Sequence, residues 1–131
     1  MKPRILIIDE PSSYLYFIKN VMLSDGYEVM VTETESEIQK QLKEYFTNLI
    51  LIDVHMNNSQ GFEILEKLRK AFDYSAPIII TSRGTNINEI EKAFNLGAYD
   101  YLIKPLNLRD LKNKIKQAIA KQGIKKDDCH V

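Results

Sequence analysis

Short apolar runs alternate with longer amphipathic stretches along the whole chain. The short runs are rich in Ile and Val and are bounded by turn residues, a pattern typical of β-strands. They are RILII (4–8), YEVMV (27–31), NLILI (48–52), PIIIT (77–81) and YDYLI (99–103). Several are apolar at consecutive positions, which indicates strands covered on both faces, as in a parallel sheet.

The segments between these runs carry apolar residues at helical spacing, and we expect these stripes to face a core. The stripes are Tyr14, Ile18, Val21 and Met22; Ile38, Leu42 and Tyr45; Phe62, Leu65, Leu68 and Phe72; Ile87, Ile90, Ala93 and Phe94; and Leu108, Leu111, Ile115, Ala118 and Ile119. Ser12 or Ser13 is suited to cap the first helix. The third helix is expected to open at Gly61, and Gly97 to end the fourth.

Five strand–helix units in strict alternation predict an α/β fold. Its sheet would be open and parallel, with helices on both faces and right-handed crossovers. In such sheets, ligands bind and reactions take place beyond the carboxyl ends of the strands. Polar residues that follow the strands are therefore the candidates for chemistry.

Acids, hydroxyls and a lysine are predicted to meet at that edge. The residues are Asp9, Glu10, Asp53, Thr81, Ser82, Lys104 and Pro105. Neighbouring carboxylates raise one another's pKa unless a cation lies among them, and oxygen ligands beside a phosphate suit Mg²⁺. Each residue alone has an ordinary structural explanation as a helix cap or turn. Together they are what phosphoryl transfer to an aspartate requires, because that chemistry is mostly positioning and charge neutralisation.

Composition excludes several classes of protein. The 131 residues are 44% hydrophobic and 27% charged, which fits one globular domain. Eighteen basic side chains balance eighteen acidic ones, so net charge does not favour nucleic acid or membrane. The basic stretch from 107 to 126 is expected to be the solvated face of a helix, with a basic docking surface as the alternative.

The chain ends point to a cytoplasmic protein. The single cysteine, Cys129, excludes an internal disulfide, and its neighbour His130 does not make it a metal site. Near the N-terminus only four consecutive apolar residues precede Asp9. That run is too short for a signal peptide or a membrane-spanning helix.

Five motifs and the intervals between them resemble the receiver domain of two-component response regulators, the family of the bacterial chemotaxis regulator. They are ILIIDE, LILIDVHM, GFEIL, PIIITS and NLGAYDYLIKP. The resemblance implies a flavodoxin-like (βα)₅ fold with strand order 2-1-3-4-5. It assigns residues 1–122 to a receiver domain and 123–131 to a tail or the start of a linker. Whether the chain acts alone or as part of a longer regulator stays open.

The resemblance also implies an acceptor and a metal site. Asp53 would accept a phosphoryl group from a sensor histidine kinase or a phosphotransfer protein. Asp9, Glu10 and Asp53 would hold Mg²⁺ as cofactor, with the backbone carbonyl of His55 as a further ligand. The chain would catalyse only its own phosphorylation and dephosphorylation, and would not be an enzyme for an external substrate.

The resemblance also implies roles for residues that would contact the phosphoryl group or respond to it. Lys104 would contact the acyl phosphate, with a cis peptide to Pro105. Ser82 precedes Lys104 by 22 residues, the family interval, so Ser82 rather than Thr81 takes the hydroxyl role. Tyr101 matches the aromatic switch position. The face made by helix 4, strand 5 and helix 5 would then signal to a target, an output domain or a second copy, without direct contact with nucleic acid or membrane.

Several residues depart from the family pattern, two of them in the loop after Asp53. Glu10 stands where aspartate is commoner, which places its carboxylate one methylene further from the metal. Asn57 replaces a frequent proline, which loosens the loop. Gln60 precedes Gly61 where an Asp-Gly pair is usual.

Arg83, Gly84 and His55 are expected to modulate the site. Arg83 occupies a position that is normally small, and its guanidinium would either obstruct a phosphodonor or add an anion-binding group. His55 and Gly84 lie at positions that tune the lifetime of the phosphoryl group, for which we expect an intermediate value. The His55 ring is expected to face solvent rather than to bind metal.

Three other functions compete with this interpretation. A receiver-like interaction module working without phosphate would be expected to lack an essential residue, whereas Asp53, Ser82 and Lys104 are all present. A flavodoxin-like binder of flavin or nucleotide needs a phosphate-binding loop after strand 1, where DEPSSY has two acids and no glycine. A phosphatase with an aspartyl nucleophile would place that residue after the first strand. This chain would then need a far larger cap or a second aspartate in register.

Overall fold

The structure is a computed structural model that describes the backbone of residues 2–70 and 75–129. The side chains of residues 57–59 and 122–129 fall outside that description. Phe72, which belongs to the third predicted stripe, and His130 lie outside the described residues.

Strands and helices alternate strictly along the described chain. The strands are β1 (Arg4–Ile8), β2 (Glu28–Thr32), β3 (Leu49–Asp53), β4 (Ile78–Ser82) and β5 (Asp100–Ile103). The helices are α1 (Ser13–Ser24), α2 (Glu35–Glu44), α3 (Met56–Lys70), α4 (Ile87–Asn95) and α5 (Leu108–Cys129). All five predicted strands are confirmed to within one residue at each end. Asp53 and Ser82 are the last residues of their strands rather than the first residues after them.

The sheet is parallel, with strand order β2-β1-β3-β4-β5. This confirms the predicted α/β class and the flavodoxin-like order that the resemblance implied. The central strands β1, β3 and β4 are buried on both faces, which is why their sequences are apolar without alternation.

Two core layers lie on opposite faces of the sheet, because successive strand residues point in opposite directions. One layer joins Leu6, Ile8, Ile50, Ile52, Ile78 and Ile80 to apolar residues of α2, α3 and α4. The other joins Ile5, Ile7, Leu49, Leu51, Ile79 and Leu102 to apolar residues of α1 and α5. The two layers fix the sheet between the helices and hold the ends of its strands in register.

Side-chain and glycine caps set several helix ends. The Ser12 hydroxyl accepts a hydrogen bond from the backbone N–H of Leu15 at 3.0 Å, so Ser12 is the N-cap of α1. Gly97 has a φ of 109°, a left-handed conformation that ends α4 as predicted. The Arg69 guanidinium bonds the Gly97 carbonyl at 2.9 Å and the Ala76 carbonyl at 2.8 Å, and so ties α3 to both neighbouring turns.

Helix α3 begins at Met56, so the prediction that it opens at Gly61 was wrong. The glycine lies inside the helix because the helix crosses the end of β3 there. A Cβ built on Gly61 would overlap the carbonyl oxygen of Asp53 and the Cα of Val54. The absence of a side chain is therefore a packing requirement at this point rather than a helix-start signal.

The expectation that every apolar stripe faces the core was wrong for part of α4. Ala93 is buried, but Ile87 is 74% exposed and Phe94 42% exposed. The helix packs on the sheet through Ala93 and leaves apolar side chains outside. Other exposed members of the predicted stripes are Tyr14 on α1, Tyr45 at the end of α2 and Leu108 at the start of α5.

Helix α5 continues through residues 123–129, so the predicted domain boundary at 122 falls within a helix. Among the described residues, no helix combines the length and apolar character needed to cross a membrane.

Replacing Gly61 with Ala tests the close approach of α3 to β3. Within a helix, Gly to Ala normally stabilises by about 1 kcal/mol. Here the added methyl overlaps backbone, and we expect the free energy of unfolding to fall by about 2 kcal/mol instead. Denaturant unfolding measures it, with Gly84→Ala as control because a Cβ there meets open space. A stabilised Gly61→Ala variant would contradict the packing described.

Candidate functional site

Two carboxylates and one ammonium meet at the carboxyl ends of three strands. Asp9 follows β1, Asp53 ends β3 and Lys104 follows β5. The Lys104 Nζ lies 2.8 Å from Asp9 Oδ2 and 3.2 Å from Asp53 Oδ2, so one cation bridges both acids. Sequence analysis placed all three at this edge, and the parallel register of the strands brings them together.

Backbone N–H groups donate hydrogen bonds to the second oxygen of each carboxylate. The backbone N–H of Glu10 donates to Asp9 Oδ1 at 2.7 Å, and that of His55 donates to Asp53 Oδ1 at 2.9 Å. Asp53 is only 3% exposed. Both acids are therefore fixed from two sides, and the oxygens bonded to Lys104 face each other.

Burial and charge shift the pKa values of this cluster. Burial raises the pKa of Asp9, and Lys104 offsets only part of that effect. Burial alone would also raise the pKa of Asp53, but the His55 N–H and the Lys104 charge outweigh it, so that pKa lies below its ordinary value. Asp53 is thus kept ionised, and Asp9 is the more readily protonated acid of the two.

The charge of Lys104 is stabilised in return. Burial alone would lower its pKa, but the hydrogen bond to Asp9 and the charges of both acids raise that pKa above its ordinary value. The amine therefore remains a cation beside Asp53 across the physiological range.

Glu10, also predicted as a metal ligand, differs from the acid pair in its burial. Its side chain is exposed, whereas Asp9 and Asp53 are buried. Within the described parts of the chain, no group of three or more His, Cys, Asp or Glu residues is arranged to hold a metal ion. The buried part of the site thus contains two of the three predicted carboxylates, and Glu10 as a ligand stays a prediction.

The remaining donors still fit Mg²⁺. This ion takes oxygen ligands, keeps several waters and is often bound by only one or two carboxylates. Asp9 and Asp53 supply such a pair, with partly buried oxygens that need a cation. Lys104 occupies the position between them, so a metal would share these oxygens with the ammonium group.

Tyr14 borders the site and was missed as a site residue. It was assigned to the apolar stripe of α1, yet it lines a small cavity with Asp9, Asp53 and Lys104. Its hydroxyl accepts a hydrogen bond from the backbone N–H of Leu106 and so ties α1 to the segment after Lys104. No sequence signal could show this, because the two residues meet only through the fold.

Ser82 and His55 form a second polar group at this edge. The Ser82 hydroxyl is 1% exposed and donates to the Gly84 carbonyl at 3.1 Å. The His55 Nε2 lies 3.4 Å from Ser82 Oγ and 3.2 Å from Glu89 Oε2 on α4. The expectation that the ring faces solvent was wrong, because it lies between these partners and is 24% exposed. Glu89 was not singled out from the sequence.

Tyr101 is half-buried on β5, between α4 and α5. Its ring meets the Phe94 ring edge-on at 6.0 Å, and the Lys114 Nζ lies 4.7 Å from the ring centroid. Lys114 also bonds the Tyr101 carbonyl and, at 3.1 Å, Asp100 Oδ1. The ring is thus positioned by two helices.

The other predicted residues occupy the rim of the site. The peptide bond between Lys104 and Pro105 is cis, as the resemblance implied. Thr81 is buried and also lines the small cavity. Arg83 is exposed next to Ser82. The side chain of Asn57 lies outside what the structure describes.

Comparison with known proteins identifies the family. The family model for the response regulator receiver domain matches residues 5–116. Among curated proteins, the chain is 28% identical over 116 residues to the transcriptional regulatory protein ZraR of Escherichia coli K12, covering 88% of this chain and 26% of ZraR. It is 28% identical over 127 residues to the uncharacterized transcriptional regulatory protein YkoG of Bacillus subtilis, covering 97% of this chain and 55% of YkoG. The chain thus spans about a quarter to a half of these relatives.

Solved structures share the fold over nearly the whole chain. A CheY-like response regulator receiver domain protein from Methanospirillum hungatei JF-1 is 31% identical, with a TM-score of 0.84 over 95% of this chain and 99% of that one. The signal receiver domain of a Luxo repressor protein from Vibrio parahaemolyticus, at 20% identity, has a TM-score of 0.86 over 96% of each chain and shows the fold alone. This chain belongs to the response regulator receiver domain family of two-component systems.

Proposed function

We propose that this receiver domain is a phosphorylation-dependent switch in which Asp53 accepts a phosphoryl group from the phosphohistidine of a sensor histidine kinase or phosphotransfer protein. The observation that carries the proposal is the Asp53 carboxylate, buried yet kept ionised by the His55 backbone N–H at 2.9 Å and the Lys104 ammonium at 3.2 Å. A buried, charged carboxylate at the active edge of a parallel sheet is a prepared nucleophile.

In the proposed reaction an Asp53 oxygen forms a bond to phosphorus while the bond from phosphorus to the histidine nitrogen breaks. The donor ring, protonated on its other nitrogen, keeps the electron pair of the broken bond and leaves as a neutral histidine, and the product on Asp53 is an acyl phosphate. Lys104 would neutralise charge on the phosphoryl oxygens, and the Ser82 hydroxyl would donate a hydrogen bond to one of them.

Mg²⁺ is the proposed cofactor. Asp9 and Asp53 would hold it, with the His55 backbone carbonyl and the Glu10 side chain as further proposed ligands. When bound, the ion would supply additional neutralisation of the negative charge that gathers on the transferred group.

The proposed output surface comprises α4, β5 and α5. Exposed Ile87 and Phe94 on α4 give it apolar area, and Tyr101 links that helix to β5. Its partner would be a downstream target, an output domain or a second copy of the chain. Two relatives are named transcriptional regulatory proteins, which supports an output in transcription. The proposal includes a cytoplasmic location, which suits a chain with one cysteine.

Labelling with phosphoramidate and Mg²⁺, followed by intact-mass measurement, tests the acceptor. We expect the wild type to gain the mass of one phosphoryl group and Asp53→Ala to gain none, because the nucleophile is gone. Asp25→Asn, at the far end of α1, is the matched control and should label like the wild type. An unlabelled wild type would favour the phosphate-independent interaction module instead.

Arg83→Ala separates the two roles held open for that residue. Because Arg83 is exposed, we expect it to attract anionic donors rather than obstruct them. The variant should label about two-fold more slowly at low ionic strength, and the difference should shrink as salt screens the charge. Rates from acetyl phosphate measure this, and Lys40→Ala on α2 controls for loss of an exposed cation. Faster labelling of Arg83→Ala would establish obstruction.

A further inference from the structure

We infer that Glu89 is a positioning residue that acts through the His55 ring to hold the Ser82 hydroxyl away from Asp53 in the unphosphorylated protein. The kinetic consequence rests on the proposed function, whereas the contact itself does not. The inference gives α4 a direct connection to the hydroxyl that would bind the phosphoryl group.

One imidazole nitrogen lies between two oxygens. The His55 Nε2 is 3.2 Å from Glu89 Oε2 and 3.4 Å from Ser82 Oγ. An ionised carboxylate only accepts hydrogen bonds, so the nitrogen that faces Glu89 carries the hydrogen. That hydrogen is then shared between the carboxylate and the Ser82 hydroxyl oxygen.

The Ser82 hydroxyl is fully engaged in this arrangement. Its own hydrogen is donated to the Gly84 carbonyl at 3.1 Å, while its oxygen faces the Gly84 N–H at 3.4 Å and the His55 ring. To donate to a phosphoryl group on Asp53, Ser82 must give up the bond to Gly84 and turn away from His55. These contacts with Gly84 and His55, which would be lost on phosphorylation, stabilise the unphosphorylated conformation.

Glu89 determines whether the ring stays in place. The contact between His55 and Ser82 is long and weak by itself. The contact with Glu89 is shorter and involves a charge, so it is the stronger of the two. Removing the carboxylate leaves the ring free to rotate, and the hydroxyl loses one of its partners.

The connection runs in both directions. A partner that binds α4 and draws Glu89 from His55 would favour the inward position of Ser82 and hence phosphorylation. By thermodynamic linkage, phosphorylation that releases His55 would favour the same movement of Glu89. The α4 surface is thereby coupled to the acceptor without passing through Tyr101.

The first test uses the unphosphorylated full chain. Nitrogen-15 NMR of the His55 ring and the Ser82 amide is compared among wild type, Glu89→Ala and Glu91→Ala. Glu91 is the matched control, an exposed acid on the same helix. We expect both resonances to shift in Glu89→Ala and to stay unchanged in Glu91→Ala. An unchanged His55 ring in Glu89→Ala would overturn the inference.

The second test measures labelling rates with phosphoramidate for Glu89→Ala, His55→Ala and the double variant. The His55 substitution leaves its backbone carbonyl in place. We expect each single variant to label about three-fold faster, the size expected for one weak hydrogen bond. The double variant should be no faster than either single one, because both act through the same contact. Glu89→Gln, which keeps an acceptor oxygen, should fall between Glu89→Ala and the wild type.

The outcomes separate this inference from the proposed function. Additive effects, or slower labelling of Glu89→Ala, would overturn the positioning role while leaving Asp53 as acceptor. A wild type that is never labelled would overturn the proposed function, and the NMR comparison would still decide whether Glu89 orients His55.

Discussion

The arrangement of this site depends on one ammonium group shared by two carboxylates. Without Lys104, Asp9 and Asp53 would face each other in a buried position with no countercharge, and one of them would have to take up a proton. With it, the acids differ: Asp53 stays ionised and Asp9 becomes the weaker acid. The two carboxylates therefore differ in acidity although they share one countercharge.

The same bridge joins distant parts of the sheet. Its members lie at the carboxyl ends of β1, β3 and β5, so the ion pairs cross the sheet from near one edge to the other. The hydrogen bond from Leu106 to Tyr14 then extends this connection to α1. Any group that competes with Lys104 for the oxygens of Asp9 and Asp53 would therefore act on the segment after β5 through that lysine.

Sequence analysis predicted the sheet because burial on both faces produces consecutive apolar residues, and it placed Asp9, Asp53 and Lys104 together because parallel strands share one edge. It could not predict that Asp9 is buried and Glu10 exposed, since the two acids are adjacent in the chain. The contact between His55 and Glu89 was also inaccessible, because it depends on where α4 packs. The start of α3 was mistaken because a glycine required by packing looks the same in the sequence as one at a helix end.

The close approach of α3 to β3 limits the length of the segment between Asp53 and Gly61. Because the backbone of Gly61 lies against the carbonyl of Asp53, the number of residues between them is set by the path of the helix. Inserting or deleting one residue there would bring a bulkier neighbour to the contact point. This packing thus fixes the length of the segment, whereas a Cβ added at Gly84, after Ser82, would meet open space.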